Sequence, residues 1–352
     1  MTTKQRSDKS PKVAVVILNW NGKEDTLECL ASVGQLDYPN YEVVVVDNGS
    51  TDDSAGAIAK QYPDVTVLQT GENLGYAGGN NVGIRWTLDH DADFVFLLNN
   101  DTIVAPDLLS AFVSANNLLP ANTILGAKIF FYDNPDTLWF AGGNWNSELN
   151  RTDHIGYGQS DSVEFNRMAE VDYVTGCALF ASANTFKEVG LLDESFFLTY
   201  EETDWCYRAR ASSHKCVVVP NAKIWHKVSS SFGGANSPLV SYFIVRNKLL
   251  WAKKHLSPSA RISLHKEYFR IVHQILLPPY SLAKADLPFA KNLLWSFSSW
   301  LKSIRRNIDN PINKATLFGV RDYYLGRFGN CPDQVRELAK KARQLSNPSQ
   351  SK

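Results

Sequence analysis

Four short, nearly continuous apolar runs alternate with helical segments in the first third of the chain, and this alternation limits the fold more than any other feature. The runs are Val13–Leu18, Glu42–Val46, Val65–Leu68 and Phe94–Leu98. Each is long enough for a strand but too short for a core helix, and such continuous apolar character is typical of strands buried on both faces. The pattern of the intervening segments predicts helices over about 23–33, 50–62 and 80–88. Strands that alternate with helices in this way predict an α/β fold: a mostly parallel sheet with helices on both faces.

A polar loop follows the carboxyl end of each predicted strand. The loops are Asn19–Gly22, Asp47–Ser50, Asn73–Gly79 and Asn99–Asp101. Ligands of parallel sheets bind beyond the carboxyl ends of the strands. Because four polar loops gather at one edge, the sequence predicts a binding site there.

Two of these loops have a structural interpretation as well as a functional one. Asp47 can accept a hydrogen bond from a nucleotide base, but Asp47–Ser50 is also typical of a turn. The glycine-rich stretch Gly75–Asn81 can present backbone N–H groups to a phosphate or a sugar hydroxyl at a helix N-terminus, or form a tight turn into the helix. It does not match the dinucleotide-binding fingerprint and follows the third strand instead of the first. The residues alone leave both alternatives open.

Asp101 directly follows a buried strand, where a carboxylate is costly unless it meets a cation. This position suits a divalent metal, Mg²⁺ or Mn²⁺, which would neutralise the charge of a diphosphate. The alternative is that Asp101 caps the helix predicted near Pro106, although Asp107 is better placed for that role. We therefore predict Asp101 as a metal ligand.

Three acids, Glu201, Glu202 and Asp204, stand at the start of a predicted helix over 201–211. One of them could act as the general base of a transfer reaction, or all three could simply complement the helix dipole. Arg208 is four residues after Asp204, at the spacing of an ion pair within a helix. His226 follows the strand predicted at Val217–Val219, and on local grounds a lone histidine is more often structural.

Composition excludes several classes of protein. Lys and Arg together number 36, as do Asp and Glu, so neither a net positive charge nor a basic block indicates nucleic-acid binding. The five cysteines are widely spaced and form no C-x-x-C, which argues against a disulfide framework or a zinc site. The first twelve residues have no apolar core of a signal peptide. No apolar run reaches the length of a membrane-spanning helix, so we expect a cytoplasmic protein.

Taken in order, the loop motifs resemble those of glycosyltransferase family 2. They are Val15–Gly22, Val46–Asp52, Glu72–Asn81 and Leu97–Thr102, followed by Val189–Phe197, Glu201–Asp204 and His226. Within the family, the chain is similar to the subgroup of rhamnosyltransferases and galactofuranosyltransferases of cell-envelope glycans. The resemblance covers about Lys12 to Gly234.

The resemblance implies a GT-A fold and inverting transfer of a sugar from a nucleoside-diphosphate sugar to a hydroxyl of a glycan or a lipid-linked glycan. The subgroup suggests dTDP-rhamnose as the donor. Glu202 matches the family's catalytic base, where Asp is frequent, and Asp204 and Arg208 match supporting positions.

The resemblance also assigns the metal and donor residues. Asp101 would be the last acid of the D-x-D metal motif, whose first position is Asn99 here, and His226 would be a further ligand of the metal or the diphosphate. Asp47 would contact the nucleotide base. The donor-binding residues predicted in this way are Asn19, Asn21, Asp47, Asn48, Asn73, Gly75, Gly79, Asn80 and Asn100.

We predict a flexible N-terminus over 1–11, a catalytic domain over 12–236, a helical extension over 237–346 and a disordered tail over 347–352. The extension mixes Lys248, Lys253, Lys254, Lys266, Lys302, Arg305 and Arg306 with Trp251, Phe269, Trp295, Phe297 and Trp300. Such a mixture is typical of a helix at a membrane surface, here the inner face of the plasma membrane. It also suits a subdomain that packs on the catalytic domain or forms a homo-oligomer, and the sequence leaves these alternatives open.

Two rival functions follow from the same residues. A nucleotidyltransferase would carry a basic glycine-rich loop after the first strand, and Asn19–Gly22 is not such a loop. A catalytically silent, nucleotide-sugar-binding scaffold is suggested by Asn99 and Asn100 in the metal motif. The acids Asp101 and Glu202, together with His226, argue against the scaffold because a silent protein does not need all three.

Overall fold

The computed structural model describes residues 10–148, 151–228, 237–279 and 289–346. The chain divides into two compact units, residues 1–228 and 229–352. The predicted tail over 347–352 and nine of the eleven residues of the predicted flexible N-terminus lie outside the described residues.

The first half of the N-terminal unit alternates strands and helices. Its elements are β1 (Val13–Asn19), α1 (Lys23–Val33), β2 (Tyr41–Asp47), α2 (Ser54–Gln61), β3 (Thr66–Gln69), α3 (Gly75–Asp89), β4 (Phe94–Asn99), β5 (Thr102–Val104) and α4 (Leu108–Leu118). All four apolar runs form strands. Residues of β1 and β4 are almost wholly buried, as expected for strands covered on both faces.

The second half of this unit is less regular. It contains β6 (Thr123–Phe131), β7 (Leu138–Phe140), β8 (Gly143–Asn146), β9 (Arg151–His154), β10 (Ala169–Val171), β11 (Ala178–Ser182), α5 (Ala183–Val189), α6 (Glu201–Ala211) and β12 (Lys215–His226). A single turn of 3₁₀ helix spans Val163–Phe165. The helix predicted over 201–211 is confirmed as α6.

The central sheet has the order β10-β12-β6-β11-β4-β1-β2-β3, with β5 paired to β12 and β7 paired to β6. Six strands run in one direction: β3, β2, β1, β4, β6 and β12. Strand β11 is inserted antiparallel between β4 and β6. The predicted α/β class with a mostly parallel sheet is confirmed.

Helix α3 begins earlier than predicted. We expected Gly75–Gly79 to be a loop before a helix at Asn80, but the helix starts at Gly75, so this prediction was wrong. A Cβ atom at Gly79 would lie 2.4 Å from Leu18 Cδ1, and one at Gly83 would lie 2.3 Å from Val16 Cγ1. The glycines are therefore in the helix because they let α3 pack closely on β1.

The C-terminal unit is helical. It contains α7 (Pro238–His255), α8 (Pro258–Leu276), α9 (Phe289–Asp309), α10 (Pro311–Tyr324) and α11 (Asp333–Ser346). Its core includes Arg246, which is fully buried, donates to the backbone oxygen of Gly329 at 2.6 Å and contacts the Tyr242 ring.

Two residues of the predicted membrane-facing mixture are in the interior instead. Trp251 is fully buried and Lys248 is 8 % exposed. Their helix, α7, packs against α10 and α11 and so has little free surface in its middle. Among the described residues, no helix is both long enough and apolar enough to cross a bilayer.

Candidate active site

The carboxyl ends of β1, β2 and β4 lie side by side at one edge of the sheet. Strand pairing aligns Asn19 with Asp47 and Leu18 with Asn99. The loops that follow these strands therefore meet, as the sequence predicts for the carboxyl ends of parallel strands.

Asn19 is fully buried and connects three of these loops. Its amide donates to Asp47 Oδ1 at 2.9 Å and to Ser50 Oγ at 3.1 Å. Its side-chain oxygen, Oδ1, accepts from Thr26 Oγ1 at 2.8 Å and from Asn100 Nδ2 at 3.3 Å. Asn19 therefore holds Asp47 and Asn100 in place and does not reach solvent itself.

Asp47 belongs to the turn at the end of β2. Its Oδ2 accepts from the Ser50 backbone N–H at 3.2 Å, and the residue is only 4 % exposed. This geometry agrees with the turn interpretation. A carboxylate oxygen has a second acceptor position, so contact with a nucleotide base stays a prediction.

The predicted donor residues around α3 are engaged with the protein. Asn48 donates to the Gly75 backbone oxygen at 3.1 Å and accepts from the Leu74 N–H at 3.0 Å. Asn73 accepts from the Gly75 N–H at 2.8 Å. These side chains therefore accept hydrogen bonds from N–H groups at the start of the helix. Those N–H groups are the ones that could otherwise have bound a phosphate.

The other donor candidates lie in different surroundings. Asn80 is buried within α3 and donates to the Tyr76 backbone oxygen at 2.9 Å, so its side chain faces its own helix. Asn21 is exposed, accepts from the Thr51 N–H at 2.7 Å and joins the first loop to the second. Of these two, only Asn21 presents a surface to a ligand.

Asp101 and His226 form a buried pair, although 125 positions separate them. Strand β5 pairs antiparallel with the end of β12, which places His226 opposite Thr102. The His226 Nε2 atom is 3.1 Å from Asp101 Oδ1, and each residue is 6 % exposed. The structure thus brings the two predicted metal ligands together. Asp107 precedes α4, but its side chain makes no capping hydrogen bond.

The surroundings of His226 favour its charged form. Burial alone would lower the pKa of the imidazole, but the Cys177 thiol and the Asp101 carboxylate outweigh burial and raise it to about 10. Its Nε2–H therefore donates to Asp101. The other ring nitrogen, Nδ1, is buried and has no hydrogen-bond partner among the described residues.

Helix α6 carries the candidate base, and the loop before this helix has an unusual backbone conformation. Phe197, Thr199 and Tyr200 have φ values of 63°, 67° and 71°, a backbone region that L-residues seldom adopt. Such backbone is concentrated at functional sites. The loop docks on α3, because the Tyr76 N–H donates to the Phe197 oxygen at 2.6 Å and a Cβ at Gly75 would be 2.4 Å from that oxygen.

Glu202 is half-buried beside the end of β11, and its carboxylate accepts from the Gly176 backbone N–H. Burial raises the pKa of this carboxyl above its usual range. The neighbouring Cys177 thiol interacts electrostatically with Asp101, His226 and Glu202. Cys177 therefore lies within electrostatic reach of both the Asp101–His226 pair and the candidate base.

Glu201 and Asp204 have different environments from Glu202. Glu201 is 3 % exposed, and burial together with the Glu202 carboxylate raises its pKa well above the usual value. Asp204 is fully buried and accepts from Arg208 Nε at 2.8 Å. Arg208 also donates to the backbone oxygens of Val189 and Leu191. Asp204 therefore orients Arg208, which ties α6 to the residues at the end of α5, and its own full burial keeps it from a substrate.

Asp101 and His226 fit a divalent cation in part. A carboxylate is a suitable donor, and so is a neutral imidazole, so His226 would have to give up a proton when a cation binds. The Nδ1 atom is not satisfied by a hydrogen bond within the described residues. In the described part of the chain, no group of three or more His, Cys, Asp or Glu side chains could hold a metal ion. Two protein ligands suffice where substrate phosphates complete the coordination.

Sequence reasoning missed two neighbours of the Asp101–His226 pair. Cys177 belongs to no recognisable motif, and only its proximity reveals it. Lys227 directly follows His226 and bridges Asp25 and Glu28 of α1. Trp139 of β7 packs edge-on against His226, with ring centroids 4.7 Å apart.

Comparison with known proteins agrees with this geometry. The sequence profile described as Glycosyl transferase family 2 matches residues 14–174. A low-salt glycan biosynthesis hexosyltransferase of Haloferax volcanii is 28 % identical over 217 residues, which cover 59 % of this chain and 65 % of the relative. A dTDP-rhamnosyl transferase of Shigella flexneri is 25 % identical over 276 residues, which cover 75 % of this chain and 88 % of the relative.

A third relative is the N-acetylglucosaminyl-diphospho-decaprenol L-rhamnosyltransferase of Mycobacterium tuberculosis. It is 28 % identical over 225 residues, which cover 58 % of this chain and 72 % of the relative.

Solved structures share the fold at low identity. A mannosyltransferase of Pyrobaculum calidifontis, in complex with GDP-Man and Mn²⁺, aligns with a TM-score of 0.54 at 16 % identity. The alignment covers 91 % of this chain and 89 % of that one. Staphylococcus aureus TarS (residues 1–349) with UDP-GlcNAc aligns with a TM-score of 0.51 at 16 % identity, over 91 % of this chain and 93 % of that one.

These neighbours are GT-A glycosyltransferases, so the fold that the motifs implied is confirmed. Residues 14–174 therefore form a glycosyltransferase family 2 domain.

Proposed function

We propose that the protein transfers a sugar from a nucleoside-diphosphate sugar to a hydroxyl of a glycan or lipid-linked glycan, with inversion at the anomeric carbon. One observation carries the proposal. The buried Asp101–His226 pair and the half-buried Glu202 lie within electrostatic reach of the same Cys177. A charge-binding pair beside a carboxylate of raised pKa provides what glycosyl transfer to a hydroxyl needs.

In this mechanism Glu202 accepts the proton of the acceptor hydroxyl. The acceptor oxygen attacks the anomeric carbon on the face opposite the diphosphate, so one bond forms as the other breaks and the configuration inverts. The raised pKa of Glu202 suits a base that must be ionised near neutral pH and still hold a proton well. Arg208, oriented by Asp204, ties α6 to the residues at the end of α5 and so keeps Glu202 in place.

Asp101 and His226 are proposed to hold a divalent cation, Mg²⁺ or Mn²⁺, together with the diphosphate of the donor. When bound, this cation would neutralise the negative charge of the leaving diphosphate. The positively charged His226 ring is suited to contact phosphate oxygen directly. Trp139 packs against that ring and limits its rotation.

The donor is proposed to lie across the ends of β1 and β2. Asp47 and the exposed Asn21 are the candidate contacts for the nucleotide, while Asn19 and Asn48 position them from the interior. Rhamnose on dTDP is the proposed donor, supported by the names of the Shigella and Mycobacterium relatives. The second of these names also supports a lipid-linked acceptor.

The function is tested by turnover of the purified protein on a panel of nucleotide sugars with Mg²⁺ or Mn²⁺. We expect release of one nucleoside diphosphate from one donor, dTDP-rhamnose before the others, and loss of the release with a chelator. Because hydrolysis without an acceptor can be slow, nucleotide binding is measured in parallel by calorimetry. A protein that neither turns over nor binds any nucleotide of the panel would contradict the proposed function.

Replacing Glu202 by Gln is expected to lower kcat by about 10²- to 10⁴-fold, because Gln cannot accept the proton. Nucleotide affinity should stay unchanged, since Glu202 acts on the acceptor. Glu201→Gln is the matched control. Burial raises the pKa of Glu201 and so favours its protonated form, which Gln resembles in shape. Equal rates for Glu202→Gln and the native protein would remove Glu202 from the mechanism.

The raised pKa of Glu202 also predicts the pH dependence. Only the carboxylate form accepts a proton, so kcat/KM should rise with pH. The midpoint of this rise should lie above the usual pKa range of glutamate. The folded state favours the protonated form, so ionisation of Glu202 lowers the free energy of unfolding as pH rises through the raised pKa. A midpoint at or below the usual glutamate pKa would contradict the assignment.

A further inference from the structure

Helix α8 of the C-terminal unit exposes a row of large apolar side chains. Ile262, Phe269 and Leu276 are 56 %, 75 % and 39 % exposed. They follow one another at intervals of seven residues, two helical turns, and therefore lie along one face of the helix. Exposure of a whole row, in contrast to a single residue, indicates a surface that something covers.

Helix α9 exposes a second row. Leu294, Phe297 and Leu301 are 71 %, 50 % and 47 % exposed, at intervals of three and four residues that also place them on one face. The helix lies beside α8, and its Trp300 Nε1 donates at 2.7 Å to the oxygen of Pro278, two residues past the end of α8. The two rows belong to neighbouring helices, and we call their six side chains and the cations around them the α8–α9 surface.

The cations of this surface outnumber its acids. Helices α8 and α9 contain seven Lys and Arg residues: Arg261, Lys266, Arg270, Lys291, Lys302, Arg305 and Arg306. They contain only two acids, Glu267 and Asp309, and each acid already pairs with a basic side chain. Every one of the seven cations except Arg261 is exposed. The surface therefore combines apolar rows with an excess of positive charge.

We propose that the α8–α9 surface docks on the headgroup region of an anionic phospholipid bilayer. The apolar rows would enter the boundary between headgroups and acyl chains, and the Lys and Arg side chains would contact lipid phosphates. A second copy of this chain is a poorer occupant. Two such surfaces would bring like charges together, and lysine is depleted at protein interfaces.

The proposal does not depend on sugar transfer, so its test measures binding. The full-length protein is sedimented with vesicles of phosphatidylcholine containing about 30 mol % phosphatidylglycerol, and with phosphatidylcholine alone. We expect co-sedimentation with the anionic vesicles and little with the neutral ones. Combining Phe269→Ser, Leu294→Ser and Phe297→Ser should lower the partition coefficient at least about tenfold.

The matched control removes equally exposed apolar side chains from the N-terminal unit. Leu118 and Val163 are both 77 % exposed, and Leu118→Ser with Val163→Ser should leave sedimentation unchanged. Circular dichroism shows whether the variants remain folded. In a second variant, Lys302→Gln with Arg306→Gln, the preference for anionic lipid should weaken.

Three results would overturn the proposal. The first is a native protein that stays in the supernatant with anionic vesicles, and the second is a triple variant that sediments as well as the native protein. The third is a lipid-free dimer in light scattering that the triple variant dissociates, because the surface would then be an interface between copies.

Discussion

The pairing of β5 with the last residues of β12 determines where this protein can hold charge. It joins the loop after the fourth parallel strand to a segment more than a hundred residues later, and so places Asp101 against His226. Each group alone would be costly to bury. Together they form an imidazolium–carboxylate pair, and the opposite charges explain why both are tolerated at 6 % exposure.

The candidate base depends on a second connection. The loop before α6 contains three residues at positive φ, and its contact with Gly75 and Tyr76 fixes it on the start of α3. The start of α3 is in turn held by Asn48 at the end of β2. The loop after β2, the start of α3 and the loop before α6 are therefore joined by direct contacts. This arrangement connects the two halves of the proposed reaction through packed backbone.

The parallel strands and α6 could be predicted from sequence because their signals are local. The apolar runs are continuous, and the acids of α6 stand at its start. The glycines of α3 misled the prediction, since glycine usually weakens a helix, whereas here close packing on Val16 and Leu18 requires it. Strand β5 has three residues and pairs only with a distant segment, so no local pattern could reveal it. The pairing of Asp101 with His226 could be predicted only from the family resemblance. The position of Cys177 near them could not be predicted from the sequence.

The central claim is that Asp101 and His226 together hold the cation and the diphosphate. It is tested most directly by measuring Mn²⁺ binding with electron paramagnetic resonance, in the presence of the nucleoside diphosphate that the protein binds. Asp101→Asn and His226→Gln are compared with the native protein, and Asp107→Asn, at the residue before α4, is the control. We predict that either site variant weakens Mn²⁺ binding about 10- to 100-fold and that the control does not. Equal Mn²⁺ affinity in all four proteins would contradict the claim.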